Sequence, residues 1–232
     1  MPKNLVCVTF LPSFIKRNRS CCAVGLSFEH LNDLQLDALR EIGNIGAGNA
    51  ATALSRMVNK KVTMTVPRVA LLPIKDVPDW LGGPEKEVLG VYLIISGAVS
   101  GHILFIMTVE NALKLMRMLL GDLAPRSIEE VFEPDEMSAS AMNEIGNILA
   151  SSYLAALADF TGLRLDHSVP SLAVDMAGAV VDLVLIEIAR QGDYALLIET
   201  EFVEEEDHVE GYFMLIPDTG SLEIILKALG VV

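Results

Sequence analysis

Apolar residues recur at three- and four-residue spacing in two stretches of the chain: Leu36, Leu39, Ile42 and Ile45 in the first, and Met142, Ile145 and Leu149 in the second. That period marks a helix with one buried face. Asn32 or Asp33 is placed to cap the first helix. Pro134-Asp135 opens the second, with a proline tolerated early in a helix and an acid near its positive end. After each helix comes an extended stretch ending at Pro67 or Pro170, which suits a sheet edge or a strand end. Two strands are then predicted in each half, Val88–Ser96 with Gly101–Thr108, and Ala179–Ala189 with Tyr194–Phe202, as hairpins turning at Gly97 and at Gln191-Gly192. The second half adds a further strand, Gly211–Ile216. The apolar runs LVLIEIA and HILFIMTV read as core strands. Each half closes with an amphipathic helix, Ala112–Leu120 and Leu222–Leu229, stopped by Gly121 and Gly230.

The recurrence of this order reflects an internal repeat. Residues Asp37 to Leu72 align without a gap on Ser140 to Asp175; the string EIGNI stands intact at Glu41 and again at Glu144. Ala53-Leu54 matches Ala156-Leu157, and Val66-Pro67 matches Val169-Pro170, in the same register. With no Gly/Ser-rich linker between the halves, the chain reads as one α+β domain, residues 26–232. It has a pseudo-two-fold internal repeat, about 31–121 and 134–230, whose long helices pack on a largely antiparallel β-sheet. Residues 1–25 stand outside the repeat as a leader. They hold all three cysteines, Cys7, Cys21 and Cys22, so the repeat itself must stand on its core without disulfides.

Charge narrows the choice of partner. A formal net charge of −14 opposes binding to a nucleic-acid backbone or an anionic membrane surface, and leaves a protein as the expected partner. No stretch has the roughly 18 uninterrupted apolar residues that would cross a bilayer. His30, His102, His167 and His208 lack metal-ligand spacing, so no metal site is expected. The acidic run Glu204 to Asp207 reads as a solvated turn.

The repeated string carries a polar stripe. Asp37, Glu41 and Asn44 fall at i, i+4 and i+7 on one helix face, and Ser140, Glu144 and Asn147 repeat them. The face continues through small residues, Gly48 in one copy and Ser151 in the other, where another backbone could come close. A lone Glu-x-x-Asn would be no more than a solvated helix face. Two equivalent Gly-Asn pairs, Gly43-Asn44 and Gly146-Asn147, are harder to dismiss, because glycine costs a helix about 1 kcal/mol relative to alanine. GNIGAG is not read as a phosphate-cradling loop: such a loop precedes its helix, whereas the helical pattern here already runs through Leu36 and Leu39.

The duplicated motif, Asp or Ser, three residues, Glu, two residues, Asn, resembles the CheC, CheX and FliY group of chemotaxis phosphatases, over essentially everything from about Leu26 onward. Two complete motifs resemble CheC more than the single-site CheX, and no additional C-terminal module of the FliY kind is expected. The resemblance implies a cytoplasmic monomer that hydrolyses the aspartyl phosphate of the response regulator CheY. On this reading Asn44 and Asn147 orient the attacking water, Glu41 and Glu144 dock the regulator's lysine, and Asp37, Ser140, Gly48 and Ser151 contact the partner. No cofactor of its own is implied, the Mg2+ belonging to the phosphorylated partner. The receptor deamidase CheD is a second implied partner. Two alternatives are a regulatory module that binds CheD and a non-catalytic flagellar switch component on the same fold.

Overall fold

The structure, a computed structural model, describes residues 31–132, 136–188, 194–204, 207–218 and 220–232. The leader with its cysteines, the helix start at Pro134-Asp135, the turn at Gln191-Gly192 and the middle of the acidic run at Glu205 and Glu206 lie outside the described residues.

The first half runs α1 (Asp33–Val58), β1 (Thr63–Thr65), β2 (Val69–Pro73), a 3-10 turn (Ile74–Asp76), α2 (Val77–Trp80), β3 (Glu87–Gly97), β4 (Gly101–Thr108) and α3 (Val109–Leu120). After a short connecting helix, α4 (Ile128–Phe132), the second half repeats the order: α5 (Glu136–Thr161), β5 (Leu165–His167), β6 (Ser171–Met176), α6 (Ala177–Ile188), β7 (Tyr194–Glu204), β8 (Asp207–Pro217) and α7 (Ser221–Ala228). Pro67 and Pro170 fall between the paired short strands, where no ladder hydrogen bond is lost.

All eight strands belong to one antiparallel sheet, ordered β1-β7-β8-β4-β3-β5, with β2 also on β7 and β6 also on β3. Each half forms its own hairpin, β3 with β4 and β7 with β8, and the two hairpins meet at β4 and β8. The leading strands are exchanged: β1 and β2 pair with the hairpin of the second half, while β5 and β6 pair with that of the first. The pseudo-two-fold relation therefore passes between β4 and β8, and neither half completes its share of the sheet alone.

The sheet is buried on both faces. From β4, Ile103, Phe105 and Met107 enter the core under the long helices, while Leu104 and Ile106 point to the opposite core. This double burial is why the run HILFIMTV shows no alternation of polar residues. The larger core joins one sheet face to α1, α3, α5 and α7; Phe105 meets Phe202 edge-on there at 6.0 Å, and Met116 and Met118 are buried. The smaller core is closed by α2 and α6. The hairpin turn needs Gly97, whose φ of 115° is hard for other residues, and an added Cβ would lie 2.4 Å from the carbonyl oxygen of Arg164.

Residues 179–188 of the predicted strand Ala179–Ala189 are helical instead, and this also corrects the pairing. Tyr194–Phe202 makes its hairpin with β8, the expected further strand, and α6 stands where α2 stands in the first half. Ala177, Val180, Val181 and Val184, at i, i+3, i+4 and i+7 on α6, are buried in one core with Leu104, Ile106, Leu197 and Met214. Leu183 and Ile186 occupy the outer face, 59% and 69% exposed, so an apolar residue stands where a polar one would have revealed the helical period. Among the described residues, no helix is long and apolar enough to cross a membrane.

Candidate functional site

Helix α1 begins at a reciprocal cap: the Asn32 side chain accepts from the Gln35 amide at 3.0 Å, and the Gln35 side chain accepts from the Asn32 amide at 2.9 Å. The Gln35 side-chain amide also donates to the Val231 carbonyl at 3.1 Å, tying the start of α1 to the last residues of the chain. The helix ends at Asn59, in the left-handed region with φ of 53°. Asn32, rather than Asp33, is the capping residue.

Between these ends the helix has two unlike faces. Leu39, Ile42, Gly43, Gly46, Ala47, Ala50 and Leu54 are buried. Asp37, Glu41, Asn44 and Gly48 are all exposed. In α5 the buried residues include Met142, Ile145, Gly146, Leu149, Ala150, Tyr153 and Leu157, against an outer stripe of Ser140, Glu144, Asn147 and Ser151. Of that stripe Asn147 is half-buried and the other three are exposed. The structure thus brings the eight expected residues together as two stripes, one per helix.

The glycines of the motif act on the inner side. An added Cβ at Gly146 would lie 2.4 Å from Val91 Cγ1, and at Gly46 2.6 Å from Tyr153 Cδ1 and 3.0 Å from Tyr153 Cα. Gly146 therefore lets α5 sit close on the sheet, and Gly46 lets α1 sit close on α5. Gly43 is less confined, its nearest would-be neighbour being Ile198 at 3.7 Å. Of the glycines in the two motifs, Gly48 alone faces open space, with nothing within 4 Å of an added Cβ. Tyr153 is itself fixed, stacked on Phe213 at 4.2 Å and sharing a hydrogen bond with the Thr200 hydroxyl at 3.3 Å. Burial pushes its phenol up to about 12. Close packing inside holds the outer stripes on rigid supports.

Among the described residues, Glu41, Asn44, Glu144 and Asn147 enter no side-chain hydrogen bond or ion pair, which leaves two carboxylates and two carboxamides available to a partner. Among the described residues Asp37 is engaged by Arg40, one turn on, at 3.4 Å between exposed groups, a contact of little energy. Ser151 differs from its neighbours: its hydroxyl lies 2.9 Å from His167 Nε2, on β5. Sequence reasoning placed Ser151 in the stripe but missed His167. The available signal was that the aligned residue of the first half is Met64, an apolar residue at a strand position. No group of three His, Cys, Asp or Glu side chains that could hold a metal occurs among the described residues.

What the stripes can do follows from their chemistry. A carboxamide can hold a water by hydrogen bonds without adding negative charge, and a carboxylate one turn away can receive a cation from a docked protein. Apart from half-buried Asn147 the stripe residues are exposed, a surface open to a docking protein.

The pattern that defines the CheC-like family matches residues 34–71 and 137–174, which contain the two stripes. The CheY-P phosphatase CheC of Bacillus subtilis (strain 168) is 38% identical over 205 residues, covering 88% of this chain and 97% of that protein. Among solved structures, FliY of Thermotoga maritima superimposes with a TM-score of 0.69 at 20% identity, over 86% of this chain and 98% of that one. The middle domain of FliM from H. pylori gives 0.59 at 14% identity, over 85% and 99%. These two likenesses concern the fold alone.

Proposed function

The chain belongs to the CheC-like family, and from that premise we propose that it is a phosphatase acting on the aspartyl phosphate of the response regulator CheY. The observation that carries this reading is the pair of matched stripes, each with its Glu exposed and its Glu and Asn side chains unengaged, Asn44 exposed and Asn147 half-buried, while the opposite helix face is packed. Hydrolysis of an acyl phosphate needs a water in line with the leaving carboxylate and neutralisation of charge on the phosphoryl oxygens. The regulator supplies the phosphoryl group and its Mg2+; this chain supplies Asn44 and Asn147, each inserted into a regulator's active site to hold the water. A carboxylate in that place would repel the phosphoryl oxygens. Glu41 and Glu144 meet the regulator's active-site lysine and set the docking register. Asp37 and Ser140 sit at the rim. The reaction takes place in the cytoplasm, and no cofactor of this chain takes part.

The test is the double change Asn44→Ala plus Asn147→Ala, assayed by phosphate release from the phosphorylated regulator. Accelerated hydrolysis should be lost with the fold intact by circular dichroism; hydrolysis at the original rate would refute the assignment.

A second reading has its own observation. The outer face of α6 presents Leu183 and Ile186 to solvent, a surface suited to a protein partner. We assign that face to the receptor deamidase CheD, the second partner that family membership suggests. A non-catalytic switch role, suggested by the likeness to FliM, leaves the two intact stripes without a purpose.

A further inference from the structure

The two stripes end differently, and the difference is built into the fold. At the far end of the first, Gly48 leaves the helix backbone bare. At the same place in the second stands Ser151, one turn beyond Asn147, with its Oγ 2.9 Å from His167 Nε2. His167 is held in turn: its Nδ1 lies 2.9 Å from the Ser168 carbonyl oxygen, and its strand β5 is paired with β3, His167 opposite Ile95. A carbonyl oxygen can only accept, so Nδ1 carries the proton of the neutral ring and Nε2 is the acceptor. The Ser151 hydroxyl must then donate to Nε2. Its hydrogen is committed inward, and what it offers outward is lone pairs. In the first half Met64 replaces the histidine, so no comparable pair can form there.

Resting on the phosphatase reading above, we propose that the Ser151–His167 pair makes the second site the selective one. It favours a regulator that presents an N–H donor, from a side chain or the backbone, about one helical turn from its phosphoryl group, and disfavours one that presents an acceptor there. The imidazole acts by positioning the hydroxyl. Ser151 itself touches the regulator. The first site, bare at Gly48, imposes no such requirement and accepts regulators whose surface at this point is bulky or lacks a donor. One chain would thus serve two classes of phosphorylated regulator, or one regulator with two affinities.

The experiment uses the full chain and phosphorylated CheY in single-site backgrounds. With Asn44→Ala, only the second site works; there Ser151→Ala should raise KM by roughly threefold to tenfold, the effect of one neutral hydrogen bond, with kcat within about twofold. Ser151→Thr, which keeps the hydroxyl, should restore the original KM. His167→Gln should raise KM in the same direction, because the hydroxyl is no longer held. A KM unchanged by Ser151→Ala, or a change of equal size in the Asn147→Ala background where only the first site works, overturns the proposal. If the Asn44→Ala protein is already inactive, the assignment of Asn147 falls and the proposal falls with it, an outcome seen before Ser151 is altered.

Discussion

Alanine at Gly46 and alanine at Gly48, two residues apart in the same helix, should change stability in opposite directions. Both replacements remove a glycine from a helix interior and gain about 1 kcal/mol of helix propensity. At Gly48 nothing opposes this, since no atom lies within 4 Å of the new Cβ. At Gly46 the new methyl would stand 2.6 Å from Tyr153 Cδ1 and 3.0 Å from Tyr153 Cα. The ring cannot swing aside, being 4% exposed, stacked on Phe213 and hydrogen-bonded to Thr200. Nor can the Cα move without shifting α5 away from α1. Overpacking of this kind costs typically about 1–3 kcal/mol, which outweighs the propensity gain. Gly46→Ala should therefore lose up to about 2 kcal/mol net, and Gly48→Ala should gain up to about 1 kcal/mol. At about 2–4 °C per kcal/mol for a chain of this size, the two variants should melt several degrees apart, on either side of the parent. Thermal and urea unfolding followed by circular dichroism would measure it. If Gly46→Ala proves as stable as Gly48→Ala, the close contact of α1 with α5 at Tyr153 is wrong, and with it the account of why the motif contains glycine.

Two further outcomes are expected. The Tyr153 phenol, pushed up to about 12 by burial, stays protonated in the folded chain after an exposed tyrosine ionises near pH 10. Between those values the unfolded state binds fewer protons than the folded one, so stability falls as pH rises through the window, by about 2–3 kcal/mol at its upper end, and nothing is lost below it. Urea midpoints from pH 9 to 11.5 should fall less steeply for Tyr153→Phe than for the parent. On α6, Leu183→Glu with Ile186→Glu alters two exposed side chains and should change stability by no more than about 1 kcal/mol. It should weaken CheD binding at least tenfold in calorimetry without affecting phosphate release; unchanged binding would remove α6 from that role.

The long helices and their outer stripes could be read from the chain because EIGNI occurs twice on an unbroken 3.6-residue period, and a repeat reinforces each of its copies. The hairpin β3–β4 was legible for a similar reason: two dense apolar runs flank Gly97, whose backbone conformation makes the turn. Helix α6 was not, since valines and isoleucines suit a strand and the exposed Leu183 and Ile186 conceal its period; only packing over the outer sheet face decides it. Strand exchange between the halves leaves no local trace, because pairing partners are not written into the periodicity of either strand. The same holds for Ser151 and His167, which meet only because β5 returns beside α5. The duplicated glycines stand out in the sequence for their cost in helix propensity, and their setting comes from the fold. Gly43 and Gly146 adjoin the asparagines in sequence yet lie on the buried side, and Gly146 answers to Val91 beneath it.

The exchange of leading strands sets a timetable for synthesis. Thr63 leaves the ribosome early, but the Val203 carbonyl to which its hydroxyl donates is made 140 residues later. Until then β1 and β2 have no hairpin to join, and the apolar side of α1 has only part of its floor. The first half must wait, exposed, for most of the chain to emerge, a long interval in which chaperone capture competes with premature association.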